Sequence, residues 1–252
     1  MKTDSPSYSA PALDKGLDIL ELLAARESGL SMKAIADELG RSKSEIFRML
    51  MVLLDRGYIA RDAATDEFTL TNRLFNLGLR TPRVKDLLSR AAPILRQLAE
   101  ECGHSPHLVV VHHGETVTIA AVSGGADMSF TLKLGYGRVA VDATSGQVIL
   151  AFQPPEVRRH MVEESRRLLD RDLDEGELGE AFERIREQGY EMHESRDFVG
   201  ITDICCPVLG GNGEAIACVI ISYVNRRGRT SRHAEVLDML RQSCRAIAEE
   251  IA

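Results

Sequence analysis

The stretch ALDKGLDILELLAAR places Leu13, Leu17, Leu20 and Ala24 on one helical stripe, which predicts a first amphipathic helix. Glu27, Ser28 and Gly29 end it. Ser31 then caps a second helix, MKAIADEL, whose Ile35, Ala36 and Leu39 face inward until Gly40 stops it. In Ser42-x-x-Glu45 the serine and glutamate can each bond the other's backbone N–H, so a capping box starts a third helix at Ser42. Its apolar residues Ile46, Leu50, Leu53 and Leu54 turn to the core and leave Lys43, Ser44, Arg48 and Met51 nearer the outside. GYIARDAATDEFTLT then alternates polar and apolar positions around an Ala-Ala-Thr-Asp turn, the pattern of a two-stranded ribbon. Three helices and a ribbon predict a winged helix-turn-helix over residues 12–71, after a Ser/Pro/Ala-rich start, residues 1–11, too polar to order itself.

Residues 72–102 read as linker helices, broken at Thr81-Pro82 and resuming with Leu87, Ala91, Leu95 and Leu98 on one stripe. Pro93 within that stripe predicts a kink or a new start. From residue 103 to 252 the period changes. HLVVVHHGETVTIAAV reads as a hairpin around His-Gly-Glu, and MSFTLKL as a third strand. A helix is expected from Thr144 or Ser145, another over Pro154 to Leu168, and a third in EGELGEAFERIREQG. GYEMHESRDFVGITDICCPVL and EAIACVIISYVN, joined by the Gly210 to Gly213 turn, return to the same sheet. The last helix, Ser231 to Ile251, carries Leu237, Leu240, Cys244, Ile247 and Ile251 at 3,4 spacing. The fold class is therefore α+β with two domains, the second an antiparallel sheet bracketed by helices.

Charge changes the picture for the third helix. The 252-residue chain carries a formal net charge of -7, which argues against nonspecific coating of nucleic acid. Phosphates respond to local charge, however, and residues 41–61 hold five cations against Glu45 and Asp55, a local +3. In a helix-turn-helix the second helix inserts its N-terminal residues into the major groove, where Arg or Lys meets guanine. Arg41, Lys43, Ser44, Arg48 and the wing's Arg61 are thus candidate DNA contacts. Ser31 and Thr69 are candidates for phosphate, which sets register without reading sequence. Glu45 fits either cytosine readout or its cap.

The segments ALDKGLDILELLA, LSMKAIADELGRSKSEIFRMLMVLLDRGYI and FTLTNRLFNLG resemble the DNA-binding domain of the IclR family of bacterial transcription regulators. GYEMHESRDFVGITDICCPVLGGNGEAIACVIIS resembles that family's GAF-like effector domain, so the likeness spans almost all of the chain after about residue 12. It implies a ligand-responsive regulator, a repressor before an activator, binding double-stranded operator DNA as a homodimer or homotetramer through linker and first-helix contacts. It also implies a small effector, an organic acid or similar metabolite, bound on one face of the sheet. Carried over by position, Ala143-Thr144-Ser145-Gly146 is the helix N-terminus that offers backbone N–H groups to an anion, as its dipole allows. Ser145, Gly146, His193, Asp203 and Ser222 become candidate effector contacts, and Leu132, Leu134 and Val141 apolar wall. His193 stands where the family usually has an acid, Asp203 where it often has Cys, and Ile220 and Ser222 where it often has small hydroxyl residues. Glu45-Ile46 stands for a common Thr-Val, and Phe68-Thr69-Leu70-Thr71 for the family's Y-x-LG. Two arrangements of the pair are open: His193 meets Asp203 across the pocket, or Asp203 satisfies a loop N–H and His193 faces solvent.

Other readings start from other residues. His104, His107, His112 and His113 near Cys102 invite zinc, although strand alternation would send His112 and His113 to opposite faces. Cys205-Cys206 with His193 invites an enzyme that modifies a small molecule, but adjacent strand cysteines also alternate, and no oxyanion device of recognisable spacing accompanies them. No Gly-rich phosphate loop or carboxylate dyad appears, so no cofactor is expected. A winged helix used only for protein contact is a third reading. The five cysteines, odd in number and without CxxC, are expected to be reduced and mostly core. With no apolar run of membrane length and no signal-peptide pattern, the protein is expected in the cytoplasm and off the membrane.

Overall fold

A computed structural model describes residues 10–26, 28–79, 82–125, 129–196, 198–225, 228 and 230–251. The expectation for the polar N-terminal start lies almost wholly outside them, as does Thr81 of the predicted break. The chain divides into two compact units, Met1–Val84 and Lys85–Ala252.

The first unit contains α1 (Pro11–Ala24), β1 (Leu30–Ser31), α2 (Met32–Glu38), α3 (Lys43–Asp55), β2 (Ile59–Arg61), β3 (Glu67–Leu70) and α4 (Arg73–Leu79). Its core joins Ile19, Leu20 and Leu23 of α1 to Ile35 and Ala36 of α2, Ile46 and Leu50 of α3, and the strand residues Ile59 and Phe68. The stripe expected on α1 is displaced by roughly a quarter turn. The core direction runs through Ile19 and Leu23, and Leu13 and Leu17 remain 61% and 46% exposed. The ribbon gains a strand, since β1 pairs with β3 to give the antiparallel order β1-β3-β2. Thr71, in the position after Leu70, closes the wing by donating its hydroxyl to the carbonyl of Gly57 at 2.6 Å.

The second unit is built on α5 (Pro82–Cys102), β4 (Pro106–His112), β5 (Glu115–Ala121), α6 (Thr144–Ala151), α7 (Pro155–Arg166), α8 (Glu175–Gln188), β6 (Glu191–Glu194), β7 (Ile201–Leu209), β8 (Ala215–Val224) and α9 (His233–Ile251). α5 passes through Pro93 as one helix, not a new start. Leu87, Ala91, Leu95 and Leu98 are all buried, so packing holds the helix across the lost backbone donor.

The five strands form one antiparallel sheet in the order β5-β4-β8-β7-β6. Side chains alternate across it, so each strand supplies two cores. Ile204, Cys206, Val219 and Ile221 pack against α5 and α9. Cys205, Cys218 and Ile220 pack on the opposite side with Val148, Ile149 and Leu150 of α6 and Leu178, Phe182 and Ile185 of α8. Cys205 and Cys206 therefore do face opposite ways.

MSFTLKL is not a third strand in its described residues, 129–134. The N–H of Leu132 goes to His107 Nε2 at 2.9 Å instead of to a ladder acceptor. The chain joins the edge of β5 only afterwards, where Thr116 and Thr118 donate to the carbonyls of Arg138 and Tyr136. Gly137 permits this approach, because a Cβ there would lie 2.4 Å from the Thr116 carbonyl oxygen.

Candidate functional site

α3 begins as its sequence dictates. The N–H of Ser42 donates to Glu45 Oε2 at 3.2 Å, and the Ser42 hydroxyl reaches the same oxygen at 2.7 Å. Lys15 of α1 adds a third donor at 2.6 Å on Oε1. Lys15, then the Ser42 groups, hold the Glu45 carboxyl down to about 2. With three donors already placed around it, Glu45 serves the fold of the helix start.

The outer face of α3 is Lys43, Ser44, Phe47 and Arg48, all exposed. Lys43 and Arg48 make no ion pair with any described residue, so both cations are available. Arg41 lies 3.9 Å from Asp18. Arg61, in the wing, is paired with Asp66 and also sits over the Phe68 ring, 5.8 Å from its centroid. The wing turn is held by Asp62, which accepts from the N–H groups of Ala64 and Thr65 at 2.7 and 3.0 Å. Ser31 accepts from the N–H of Ala34 at 3.3 Å, which caps α2 and leaves its hydroxyl proton uncommitted. Thr69 is exposed on β3. Phe47 went unremarked in the sequence because its spacing matches neither the core stripe nor the charged set, yet it is 49% exposed between Ser44 and Arg48.

In the second unit a cleft opens on the α6 side of the sheet, with about 500 Å³ of empty space including its open mouth. Its floor is sheet: Val109, Thr116, Thr118, Asp203, Ile220 and Ser222. One wall is the start of α6, through Ala143, Thr144 and Ser145, and the rim holds Phe130, Leu132, Tyr136, Arg138, Ser195 and Phe198. Among the described residues no side chain caps α6. The cleft thus receives the positive end of a helix whose first N–H groups lack a capping acceptor.

Sequence reasoning reached part of this cleft. Leu132, Ser145, Asp203 and Ser222 line it. Leu134 points out and is 51% exposed, and Val141 lies in the buried core. Gly146 is a seat for the helix: a Cβ there would stand 2.1 Å from the Ala140 carbonyl oxygen. Arg138, Tyr136, Phe130 and Phe198 were missed, since they come from an irregular segment and a loop without period. The two phenyl rings meet edge to face at 5.1 Å.

His193 and Asp203 are register partners on β6 and β7 but do not bond. Asp203 Oδ1 accepts from the Ser222 hydroxyl of β8 at 2.8 Å. His193 swings the other way, bonding Thr144 Oγ1 through Nε2 at 3.1 Å and donating from Nδ1 to the Glu194 carbonyl at 2.6 Å. Neither arrangement read from the sequence occurs, because each residue finds a nearer hydroxyl on a different element.

The histidine cluster disperses. His107 is fully buried, His104 stacks on Tyr223, and the His112 and His113 rings lie 4.1 Å apart. Strand alternation fails for that pair because His113 has already entered a left-handed turn, at φ 49°. Among the described residues no group of three His, Cys, Asp or Glu side chains is placed to hold a metal ion. Burial raises the thiols of Cys205, Cys206 and Cys244 far above their ordinary range, which makes them poor nucleophiles. Among the described residues no helix is long and apolar enough to cross a membrane.

The family model of the IclR helix-turn-helix domain matches residues 12–63, and that of the bacterial transcriptional regulator IclR C-terminal domain matches residues 81–249. This chain belongs to the IclR family of bacterial transcriptional regulators. It is 30% identical over 244 residues, 94% of the chain and 86% of the relative, to the HTH-type transcriptional regulator BhcR of Paracoccus denitrificans (strain Pd 1222). It is 25% identical over 251 residues, 98% and 95% respectively, to the HTH-type transcriptional regulator KdgR of Escherichia coli (strain K12). An IclR homologue from Microbacterium hydrocarbonoxydans, solved as a complex with 4-hydroxybenzoate, has the same fold, with a TM-score of 0.77 at 18% identity over 95% of this chain and 98% of its own. Like other IclR regulators, the chain joins a DNA-binding helix-turn-helix to an antiparallel-sheet domain.

Proposed function

We propose that this IclR regulator is a cytoplasmic, ligand-responsive repressor that grips operator DNA through α3 and its wing and responds to a small organic acid bound in the cleft beside α6. The observation that carries the reading is the union, in one chain, of a recognition helix with uncommitted Lys43 and Arg48 and a polar cleft that ends on an uncapped helix N-terminus. An acid fits the latter because the helix dipole favours negative charge there. The complex of 4-hydroxybenzoate with the Microbacterium homologue points the same way. A single module makes few base contacts, so the chain acts as a homodimer, or a homotetramer of two dimers, on a pseudo-palindrome. Leu13 and Leu17 on α1 and Leu74, Phe75 and Leu77 on α4, exposed in the single chain, supply apolar surface for a second copy. Switching requires that the acid prefer one assembly geometry over another.

The test is binding to DNA selected by the full-length protein from a random pool. Affinity should fall steeply as salt rises, through counterion release, and fall again when a binding acid is added. Failure to enrich any sequence, or binding indifferent to salt, would overturn the DNA half of this reading; operator affinity unmoved by every acid that binds would overturn the switch.

A further inference from the structure

Among the described residues that line the cleft, Asp203 is the one acidic side chain, and it is 8% exposed. Oδ1 is satisfied by the Ser222 hydroxyl at 2.8 Å. Oδ2 receives no hydrogen bond from any described residue, and no described cation pairs with the group. Its register neighbour His193, the obvious donor, is committed to Thr144 and Glu194. With no donor from a described residue, Oδ2 opens into the cleft, where a ligand's donor can complete it in place of water. The nearest apolar floor, Ile220, offers nothing to bond.

The cleft therefore makes two demands. The uncapped start of α6 favours an anion. Asp203, brought near it through the Thr144–His193 bond and the register pairing of His193 with Asp203, accepts hydrogen bonds and does not attract acids. A plain monocarboxylic acid satisfies the first and leaves the second unpaired, whereas a molecule with an acid group and a separate donor satisfies both. We infer that the effector of this protein is an organic acid that also carries a hydrogen-bond donor, a hydroxyl or an ammonium, and that Asp203 is the residue that selects it. This inference rests on the organic-acid reading proposed above and narrows it; simple keto acids and unsubstituted fatty or aromatic acids fall outside the class.

The experiment uses the full-length protein and matched probes that differ only in the donor: lactate and alanine against propionate, 4-hydroxyphenylacetate against phenylacetate, 4-hydroxybenzoate and 4-aminobenzoate against benzoate. Thermal unfolding with titration of each probe reads native-state binding. In at least one series the donor-bearing acid should bind about 10- to 100-fold more tightly than its parent, the range of one hydrogen bond to a charged group. Asp203→Ala should erase that preference, so that donor-bearing and parent acids bind the variant alike. Asp203→Asn, the same shape without the charge, retains a carbonyl acceptor, so it should keep preference for a hydroxyl and lose preference for an ammonium; this arm separates the two donor types. Equal binding of donor and parent acids to the wild type, which needs no variant to fold, would overturn the inference and leave the organic-acid reading intact, as would an unchanged preference in Asp203→Ala. If no acid of either kind raises the unfolding temperature, the organic-acid reading falls and the inference with it.

Discussion

Lys15 Nζ stands 2.6 Å from Glu45 Oε1, so the first helix holds the capping residue of the recognition helix from outside that helix. The angle at which α3 is presented thus depends on an ion pair as well as on the core beneath it. Because the Glu45 carboxyl is held down to about 2, the fold is favoured by its ionised form above the ordinary carboxylate range near 4.5, and that contribution drains away as pH falls from there toward 2. Glu45→Gln should therefore flatten the acid limb of stability in that window, measured by urea unfolding of the full chain at successive pH values. An unchanged limb would mean the pair has no thermodynamic weight. Ser42→Ala, which removes the cap itself, should destabilise the unit by about 1 kcal/mol.

Arg48 and Phe47 are neighbours on the exposed face, one charged and one apolar. Arg48→Ala should cost specific binding about 1–3 kcal/mol and lower the salt slope, with the unfolding temperature unmoved because the side chain pairs with no described residue. Retained wild-type affinity would remove Arg48 from the interface. Phe47→Ala should instead relax preference for thymine at one position of the selected site, since an aromatic edge can pack on the thymine methyl. Replacing that thymine by uracil should weaken the wild type and leave the variant indifferent; equal losses in both would exclude the methyl contact.

His107 makes a second pH window, in the other unit. Burial drives its imidazole down to about 4, with the Ile220 backbone opposing, so the folded chain keeps it neutral where the unfolded chain would protonate it. Stability is then whole above pH ~6.5 and is lost as pH falls toward about 4, by up to a few kcal/mol. His107→Gln should lose that dependence. The imidazole also anchors Leu132, which lines the cleft, so acid binding should hold through that window and weaken only as pH approaches about 4, where the folded imidazole protonates.

Gly146→Ala tests the seat of α6. With its Cβ aimed at the Ala140 carbonyl, the helix start must move, at a cost of about 1–3 kcal/mol. Effector affinity should fall while DNA affinity without effector is preserved. A variant with normal acid binding would show that the α6 N-terminus is not the anion site.

What could be seen in the sequence followed from period and chemistry that act over a few residues. The Ser42 box, the stripe Leu87-Ala91-Leu95-Leu98 and the opposite facing of Cys205 and Cys206 are local facts, and the structure has them. What could not be seen depended on distant partners. The stripe on α1 was misplaced because Leu13 and Leu17 are as apolar as Ile19 and Leu23, and only the position of α2 and α3 decides between them. MSFTLKL has strand composition, but a buried imidazole claims its backbone donor. His193 and Asp203 are brought together by the register of neighbouring strands, and which hydroxyl each chooses depends on α6 and β8. The aromatic rim of the cleft had no spacing to betray it.

The alternation of β7 has one more consequence. Asp203 and Ile204 share a peptide unit, yet one side chain ends in the cleft and the other in the core beneath α5 and α9. The strand is a common wall with no slack layer between its rooms. A molecule that draws Asp203 toward itself pulls, within one residue, on the surface against which Leu95 is seated, and the two close-packed sides cannot yield independently.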